Sequence, residues 1–355
     1  MAQHAVTREQ VEESIEALHR ANGVKTEAAR LLGLSNSTYR NRLNGAHLYH
    51  LDIPVYANTC EARPAQFEIA PLPSPDISID ELVEHRIKQF GKKKLYEESR
   101  KLIPVKIKVP GSIGLVHFGD PHVDDDGTDM ATLKRHVELV RGTPGCFGCN
   151  VGDTTNNWVG RLARLWEQQS TSGTQAWMLA EWFLNQIDWL YLIGGNHDLF
   201  SGTGDPIKWI QKGKSAPYMS SEVRLELQFP NKNFCRINAR HDFAGHSQYN
   251  PAHGPSKAAL FGVRDHLNIA GHKHISGHNV IKNPETGWIC HCFLVAGYKV
   301  YDRFAMERGF RDQRISPSLM TVIDPSLDNT HPDFITHFWD IERGVDYLNY
   351  LRKGL

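Results

Sequence analysis

Five short blocks of this 355-residue chain place aspartate, histidine and asparagine at spacings that suit metal chemistry: Gly119-Asp120-Pro-His122, Gly152-Asp153, Gly195-Asn196-His197-Asp198, His241, and Gly271-His272-Lys-His274. Two divalent cations about 3.5–4 Å apart need a carboxylate able to bridge them, plus neutral donors that leave net positive charge for a phosphate. Asp153 suits the bridge. Asp120 and His122, two residues apart, share one face if the segment is extended, and His272 and His274 repeat that relation. A shell of Asp, His and Asn without thiolate favours manganese, with iron or zinc compatible, over calcium. The fourth block is the loosest, because RINARHDFAGHSQYNPAHG offers His241, His246 and His253. The alternating run Cys235 to Arg240 ends directly at His241, which favours that residue and leaves His246 as a candidate substrate contact.

Each block follows an apolar run: SIGLVHFGD, CFGCNVGD, WLYLIGG, FCRINARH and LNIAGH, with ICHCFLVAG as a further strand. Trp189 to Ile193 reads as a strand buried on both faces, and Gly194 and Gly195 can take backbone angles other residues avoid. From Val105 onward strands alternate with helices, the pattern of a layered α/β domain. Side chains delivered by the carboxyl ends of neighbouring strands converge even when distant in sequence. Cys146-x-x-Cys149 and Cys290-x-Cys292 sit in such strands and read as small core residues rather than a zinc or redox pair.

The amino-terminal stretch is different in kind. Thr7-x-x-Gln10 is a capping box before a helix carrying Val11, Ile15 and Leu18, which stops at Asn22-Gly23. In Lys25 to Leu43, Ala28, Ala29 and Leu32 give a short helix a narrow packing face. Gly33 permits a turn, and Ser35 can cap a second helix with Tyr39 and Leu43 inward. TEAARLLGLS followed by STYRNRL resembles the Fis-type DNA-binding helix-turn-helix over about 20 residues. The resemblance implies that Asn36, Ser37, Arg40, Asn41 and Arg42 of the second helix meet phosphates or base edges of DNA. Such readers commonly dimerise, so a homodimer through this unit is expected. The segment Glu61 to Pro75 is proline-rich and reads as an extended linker. A charged helix follows from Ile79 to Arg100. Arg86 to Lys108 holds nine basic residues against Glu97 and Glu98, a local balance of +7 that could steer phosphates. The expected organisation is a helix-turn-helix domain over 1–50, a linker and basic helical segment over 51–108, and a catalytic domain over 109–355.

The five blocks, in this order, resemble the pattern D-x-H, G-D, G-N-H-D/E, H, G-H-x-H of calcineurin-like metallophosphoesterases, over roughly residues 110 to 345. That resemblance implies a layered α/β/β/α sandwich binding two divalent metals, one held by Asp120, His122, Asp153 and His274, the other by Asp153, Asn196, His241 and His272. His197 is then the general acid, and a hydroxide held between the metals is the nucleophile. The protein Ser/Thr phosphatase branch carries GDxxDR and a glutamate after GNH. Here the text is GDTTNNW and GNHD, so Asn156 replaces the aspartate that would pair with the catalytic histidine. RHDFAGHSQYNPAHG, GYKVYDR and FWDIERGVDYL are also similar to metallophosphoesterases carried by bacteriophages.

Lysine and arginine (40) balance aspartate and glutamate (40), so the chain is not a general nucleic-acid coat. No apolar run approaches the roughly 20 residues needed to span a bilayer, and the first residues lack a secretion-signal profile. A cytoplasmic location, the bacterial host's if phage-encoded, is expected, with no membrane partner. The leading expectation is a metal-dependent phosphodiesterase acting on DNA. The alternatives are a phosphomonoesterase or cyclic-nucleotide phosphodiesterase that docks through the helical unit, and a DNA-binding regulator with an inactive hydrolase domain. Trp158, Trp166, Trp177 and Trp182, with Arg161 and Arg164, border the expected site, and helically spaced aromatics are more often core than base-stacking platforms.

Overall fold

A computed structural model describes residues 6–56, 76–200, 204–247, 249–307, 309 and 312–353. The proline-rich stretch 61–75 lies outside them. The chain divides into two compact units, Met1–Ser78 and Ile79–Leu355.

In the first unit, α1 (Arg8–Arg20) opens on the Thr7/Gln10 capping box, α2 (Lys25–Leu31) follows, and α3 (Asn36–Asn44) is capped by Ser35, whose side chain accepts from the Thr38 N–H. Gly33 takes φ +64° at the turn, where a side chain would be strained. Ala17, Leu18, Ala28, Ala29, Tyr39 and Leu43 form one core. Tyr39 is fully buried because its hydroxyl donates to the Ser14 carbonyl at 2.7 Å.

The second unit contains α4 (Ile79–Ser99), β1 (Ile103–Lys106), β2 (Ile113–Phe118), α5 (Met130–Gly142), β3 (Cys146–Asn150), α6 (Gly173–Leu184), β4 (Trp189–Ile193), α7 (Pro206–Ile210) and β5 (Tyr218–Met219). It continues with β6 (Glu222–Gln228), β7 (Phe234–Arg240), α8 (His253–Phe261), β8 (Leu267–Ala270), β9 (Gly277–Lys282) and β10 (Ile289–Leu294). It ends with α9 (Arg303–Glu307), β11 (Ser318–Ile323), β12 (Ile335–Phe338) and α10 (Ile341–Leu351). Two six-stranded sheets form, in the orders β1-β6-β7-β8-β10-β9 and β12-β11-β2-β3-β4-β5. β1, inside the 51–108 stretch expected as linker and basic helical segment, pairs in parallel with β6.

Alternation along the strands sets the layers. Leu115, Tyr191, Leu225, Ile237, Leu267, Phe293 and Leu319 from both sheets share one core, so the sheets pack face to face. The other face of the second sheet, through Val116, Phe118, Leu192 and Met320, packs on α5, α6 and α10. On the first sheet α8 covers β8 and β10. The unit is therefore a mixed α/β sandwich layered α/β/β/α, as the sequence predicts. Every residue of β2 and β4 is buried, which explains their unbroken apolar runs. The five described cysteines are free and buried, as their strand contexts predict. Trp177 and Trp182 pack against the α5/α6 core. Among the described residues no helix is long and apolar enough to cross a membrane.

Leu115 lies between the sheets with no exposed surface. Leu115→Ala should cost about 2–5 kcal/mol, the usual penalty for a cavity in a core that cannot collapse. A lowered urea midpoint with unchanged slope is the expected reading.

Candidate metal centre

Strands β2, β3 and β4 run parallel in one sheet, β7 and β8 run parallel in the other, and all five end at the same side of the sandwich. Just past those ends come Asp120, Asp153, Asn196, His241 and His272. Asp153, 1% exposed, is the meeting point. Its Oδ2 lies 3.2 Å from His241 Nε2 and 4.0 Å from both His122 Nε2 and His197 Nε2. His241 Nε2 lies 2.9 Å from Asn196 Oδ1 and 3.1 Å from His272 Nδ1. On the other side Asp120 Oδ2 lies 3.2 Å from His274 Nε2, and the His122 and His274 rings are 5.2 Å apart. The fold thus brings Asp120, His122, Asp153, Asn196, His197, His241, His272 and His274 together. His246, one residue beyond the Gly245 carbonyl held by Lys273 Nζ at 2.8 Å, is exposed on the loop after β7.

The local backbone differs from the extended segments the spacing suggested. His122, Asp153, His272 and His274 have φ of 39°, 50°, 70° and 51°, a region that costs non-glycine residues energy. The convergence of His122 with Asp120, and of His272 with His274, therefore comes from left-handed turns and not from strand alternation. The glycines also act differently from the expectation. Neither Gly194 nor Gly195 has a positive φ. A Cβ on Gly195 would collide with the Asp153 carboxylate, and one on Gly194 would meet the Tyr218 hydroxyl at 2.5 Å. Close approach, not backbone angle, requires them.

The electrostatics call for a cation. Both carboxylate oxygens of Asp120 are buried without a hydrogen-bond partner, His274 standing within ion-pair range but off the hydrogen-bond direction. Burial alone would raise the Asp153 carboxyl, but His241, His197 and His122 outweigh it and hold it well below its ordinary range. Burial likewise opposes protonation of His241, yet Asp153 and Asp120 bring it up to about 10. His274 is raised against burial by Asp120. His122 is held well below its usual value by burial and by its histidine neighbours, and His272 is lowered by burial and His241. The Asp153 and Asp120 carboxylates thus raise His241 and His274 against burial, a demand for positive charge that a bound cation would meet in the protons' place. Oxygen and imidazole donors around an unsatisfied carboxylate fit divalent cations.

His197 is supported by an unexpected group. Its Nδ1 lies 2.7 Å from the Asn156 carbonyl oxygen, so Nε2 turns toward Asp153 and the other donors. The Asn156 side chain points elsewhere, donating through Nδ2 to Asp125 Oδ2 at 2.9 Å, and Lys299 Nζ pairs with the same oxygen at 2.9 Å. Neither Lys299 nor a main-chain acceptor has a signature in the sequence blocks. Asp198 is fully buried and accepts from the N–H groups of Gly195, Thr154 and Thr155 at 2.9, 3.2 and 3.3 Å, stitching the second block to the third. Burial, with repulsion from Asp153, pushes its carboxyl up to about 7.

Beside this loop Thr155, Asn157, Trp158, Trp166, Thr171 and Trp177 line a cavity of about 390 Å³. Trp158 is buried, edge-on to Trp166 and under Lys299 Nζ.

In the first unit Asn36, Ser37, Arg40 and Asn41 are exposed on α3. Arg42 is instead drawn to Glu13 of α1 at 3.1 Å, and Ser37 Oγ lies 2.9 Å from the capping Ser35 Oγ. Residues 8–44 match the family model described as bacterial regulatory protein, Fis family. They form a Fis-type helix-turn-helix.

No curated protein sequence matches the chain. Solved structures similar to it include the NAD nucleotidase NadN of Haemophilus influenzae, 11% identical, covering 64% of this chain and 49% of that one with a TM-score of 0.35. The nuclease MPE of Pseudomonas putida is 15% identical, covering 68% and 89% with a TM-score of 0.29. The calcineurin-like phosphoesterase YfkN of Bacillus subtilis is 12% identical, covering 68% and 100% with a TM-score of 0.33. The chain spans about half the length of the first of these.

Asp198→Ala would leave three buried N–H groups without an acceptor, each worth about 1–3 kcal/mol, partly offset by relief of repulsion with Asp153. The expected outcome is a loss of at least about 2 kcal/mol in urea unfolding, whereas a stability gain would show that repulsion dominates.

Proposed function

We propose that the second unit is a phosphoesterase dependent on two divalent metals, acting as a phosphodiesterase on DNA. The observation that carries this reading is the Asp153 carboxylate, whose Oδ2 has His122 Nε2 at 4.0 Å and His241 Nε2 at 3.2 Å, while neither carboxylate oxygen of Asp120 has a hydrogen-bond partner. In this reading Asp120, His122, Asp153 and His274 hold one cation, and Asp153, Asn196, His241 and His272 hold the second. When bound, the pair would supply an activated water and neutralise charge growing on the phosphoryl oxygens. Two carboxylates against two dications leave net positive charge, which suits a phosphate substrate. Manganese is the favoured metal, with iron or zinc compatible.

The chain's own residues do the rest. Asn156 accepts from His197 Nδ1, so a proton leaves or arrives through Nε2, the atom facing the donor cluster. His197 therefore protonates the departing alkoxide. Asp198 keeps Asn196 and His197 in place through the Gly195 N–H and does not touch substrate. The DNA part of the reading rests on the Fis-type match over 8–44, the exposed Asn36, Arg40 and Asn41, and the basic tract after Arg86. Tethering a DNA-binding module to a hydrolase raises the local concentration of the polymer without new contacts at the site. The tryptophan-lined cavity beside Asn157 offers a base a stacking surface, and His246 lies on a loop able to meet the phosphodiester. The helix-turn-helix would act as a homodimer, as two-fold DNA readers commonly do, in the cytoplasm of a bacterium or of a phage's host.

Hydrolysis of a phosphomonoester, a small diester, and single- and double-stranded DNA under manganese tests the substrate class. DNA cleavage exceeding the monoester is expected, and no cleavage of any DNA would remove the nuclease reading. His197→Ala should lower kcat about 10²- to 10⁴-fold with metal content unchanged. Arg40→Ala should weaken DNA turnover through KM alone, leaving the small diester unaffected.

A further inference from the structure

A second cluster of histidines lies away from the centre described above. β9 and β12 are the edge strands of their respective sheets, and both end-strands border the same open side of the sandwich. On β10, Phe293 points into the core between the sheets, so His291, two residues earlier, points the same way. His278 of β9 sits opposite Phe293 in the antiparallel register and shares that face. Ile335 of β12 and Trp339 just after it contact the same core, which places His337 between them inward as well. Three imidazoles from three strands and both sheets therefore meet at one edge.

We propose that His278, His291 and His337 form a zinc site that clips the two sheets together. Their candidate ligand nitrogens all lie within 4.8 Å of one another. His278 Nε2 and His291 Nδ1 are 3.3 Å apart. Two nitrogens at about 2.0–2.1 Å from a tetrahedral zinc stand about 3.3–3.4 Å apart, so this pair already spans one edge of the tetrahedron. The His278 and His291 rings are parallel within 4° with centroids 5.5 Å apart, and Phe293 stacks on His278 at 4.3 Å, so the pair is held close and a small ring rotation would aim both nitrogens at one ion. The His337 ring, 4.4 Å from that of His278 and tilted by 55°, can complete the set by rotating.

The surrounding chemistry supports ligation over a merely structural role. Outside the first centre, the buried His117 lies between the Tyr191 and Thr321 hydroxyls, His136 beside the Tyr298 and Ser318 hydroxyls, and His266 accepts from the Arg236 N–H. In the edge cluster two ring nitrogens confront each other. Burial lowers His278 to about 4 with repulsion from His337 and His291, lowers His291 to about 4 with repulsion from His337 and His266, and lowers His337, which favours the neutral ligand form. Three imidazoles without thiolate or carboxylate suit zinc, whose fourth position water can fill on the open side. An ion held there would tie β9 to β12, which share no hydrogen-bonded ladder and each end their own sheet.

Zinc binding to the full chain tests the inference independently of the first centre. In a background of Asp120→Asn and His241→Ala, which removes donors of that centre, the metal-stripped protein should bind an edge-site equivalent of zinc, and its thermal midpoint should rise with zinc. Adding His337→Ala should abolish both effects, and His278→Gln should do the same if the first change disturbs folding. Cobalt in place of zinc should give the visible absorption of a tetrahedral site, lost in the same variants. Equal zinc content with and without His337→Ala and His278→Gln, or an unchanged cobalt spectrum, would overturn the site.

Discussion

Everything at the centre of this molecule depends on the burial of two carboxylates, Asp120 and Asp153, within one small space. A buried carboxylate without partners is costly, and two near each other are costlier still, unless positive charge is brought in. The fold answers this by surrounding them with imidazoles, and the field they create holds His241 protonated up to about 10. The same field that demands a proton there would welcome a divalent ion, and the oxygen and nitrogen donors are already aimed.

Holding such a cluster requires rigidity, and the sandwich supplies it. Parallel strands buried on both faces deliver their tips to one side, so five segments distant in sequence end within a few ångströms of each other. The strain of four non-glycine residues with positive φ is tolerated because the strands beneath them are fully packed. Gly195 and Asp198 then lock the third block against the second, one by letting the backbone approach and the other by accepting three N–H groups.

Much of this was legible in the sequence because the site is written in strand-plus-tip units. The apolar runs before Asp120, Asp153, Asn196, His241 and His272 are all strands, and Thr7, Ser35 and Gly33 act as their types suggest in the helical unit. β6 and β11 belong to none of the five blocks, because neither delivers a histidine, asparagine or aspartate to the metal cluster. The left-handed turns were invisible because histidine and aspartate do not advertise a positive φ as glycine does. The support of His197 was hidden for a different reason. A main-chain carbonyl has no letter of its own, and Asn156, whose side chain reads as a lost acid, supplies its backbone instead.

The histidines show why residue type alone could not separate these roles. In a chain with 19 of them, the partner of each ring nitrogen decides its function. Where hydroxyls or main-chain groups fill both sides, as at His117 between Tyr191 and Thr321, the ring is a satisfied element of the core. Where carboxylates press on it, as at His241, it becomes a cation or a ligand for one. At His197 a carbonyl fixes Nδ1 and leaves Nε2 facing the donor cluster, so Nε2 alone is free to exchange a proton. Where a ring faces another ring, as at His278 and His291, one N–H can donate to the other ring's lone pair, or both lone pairs can be given to a shared ion.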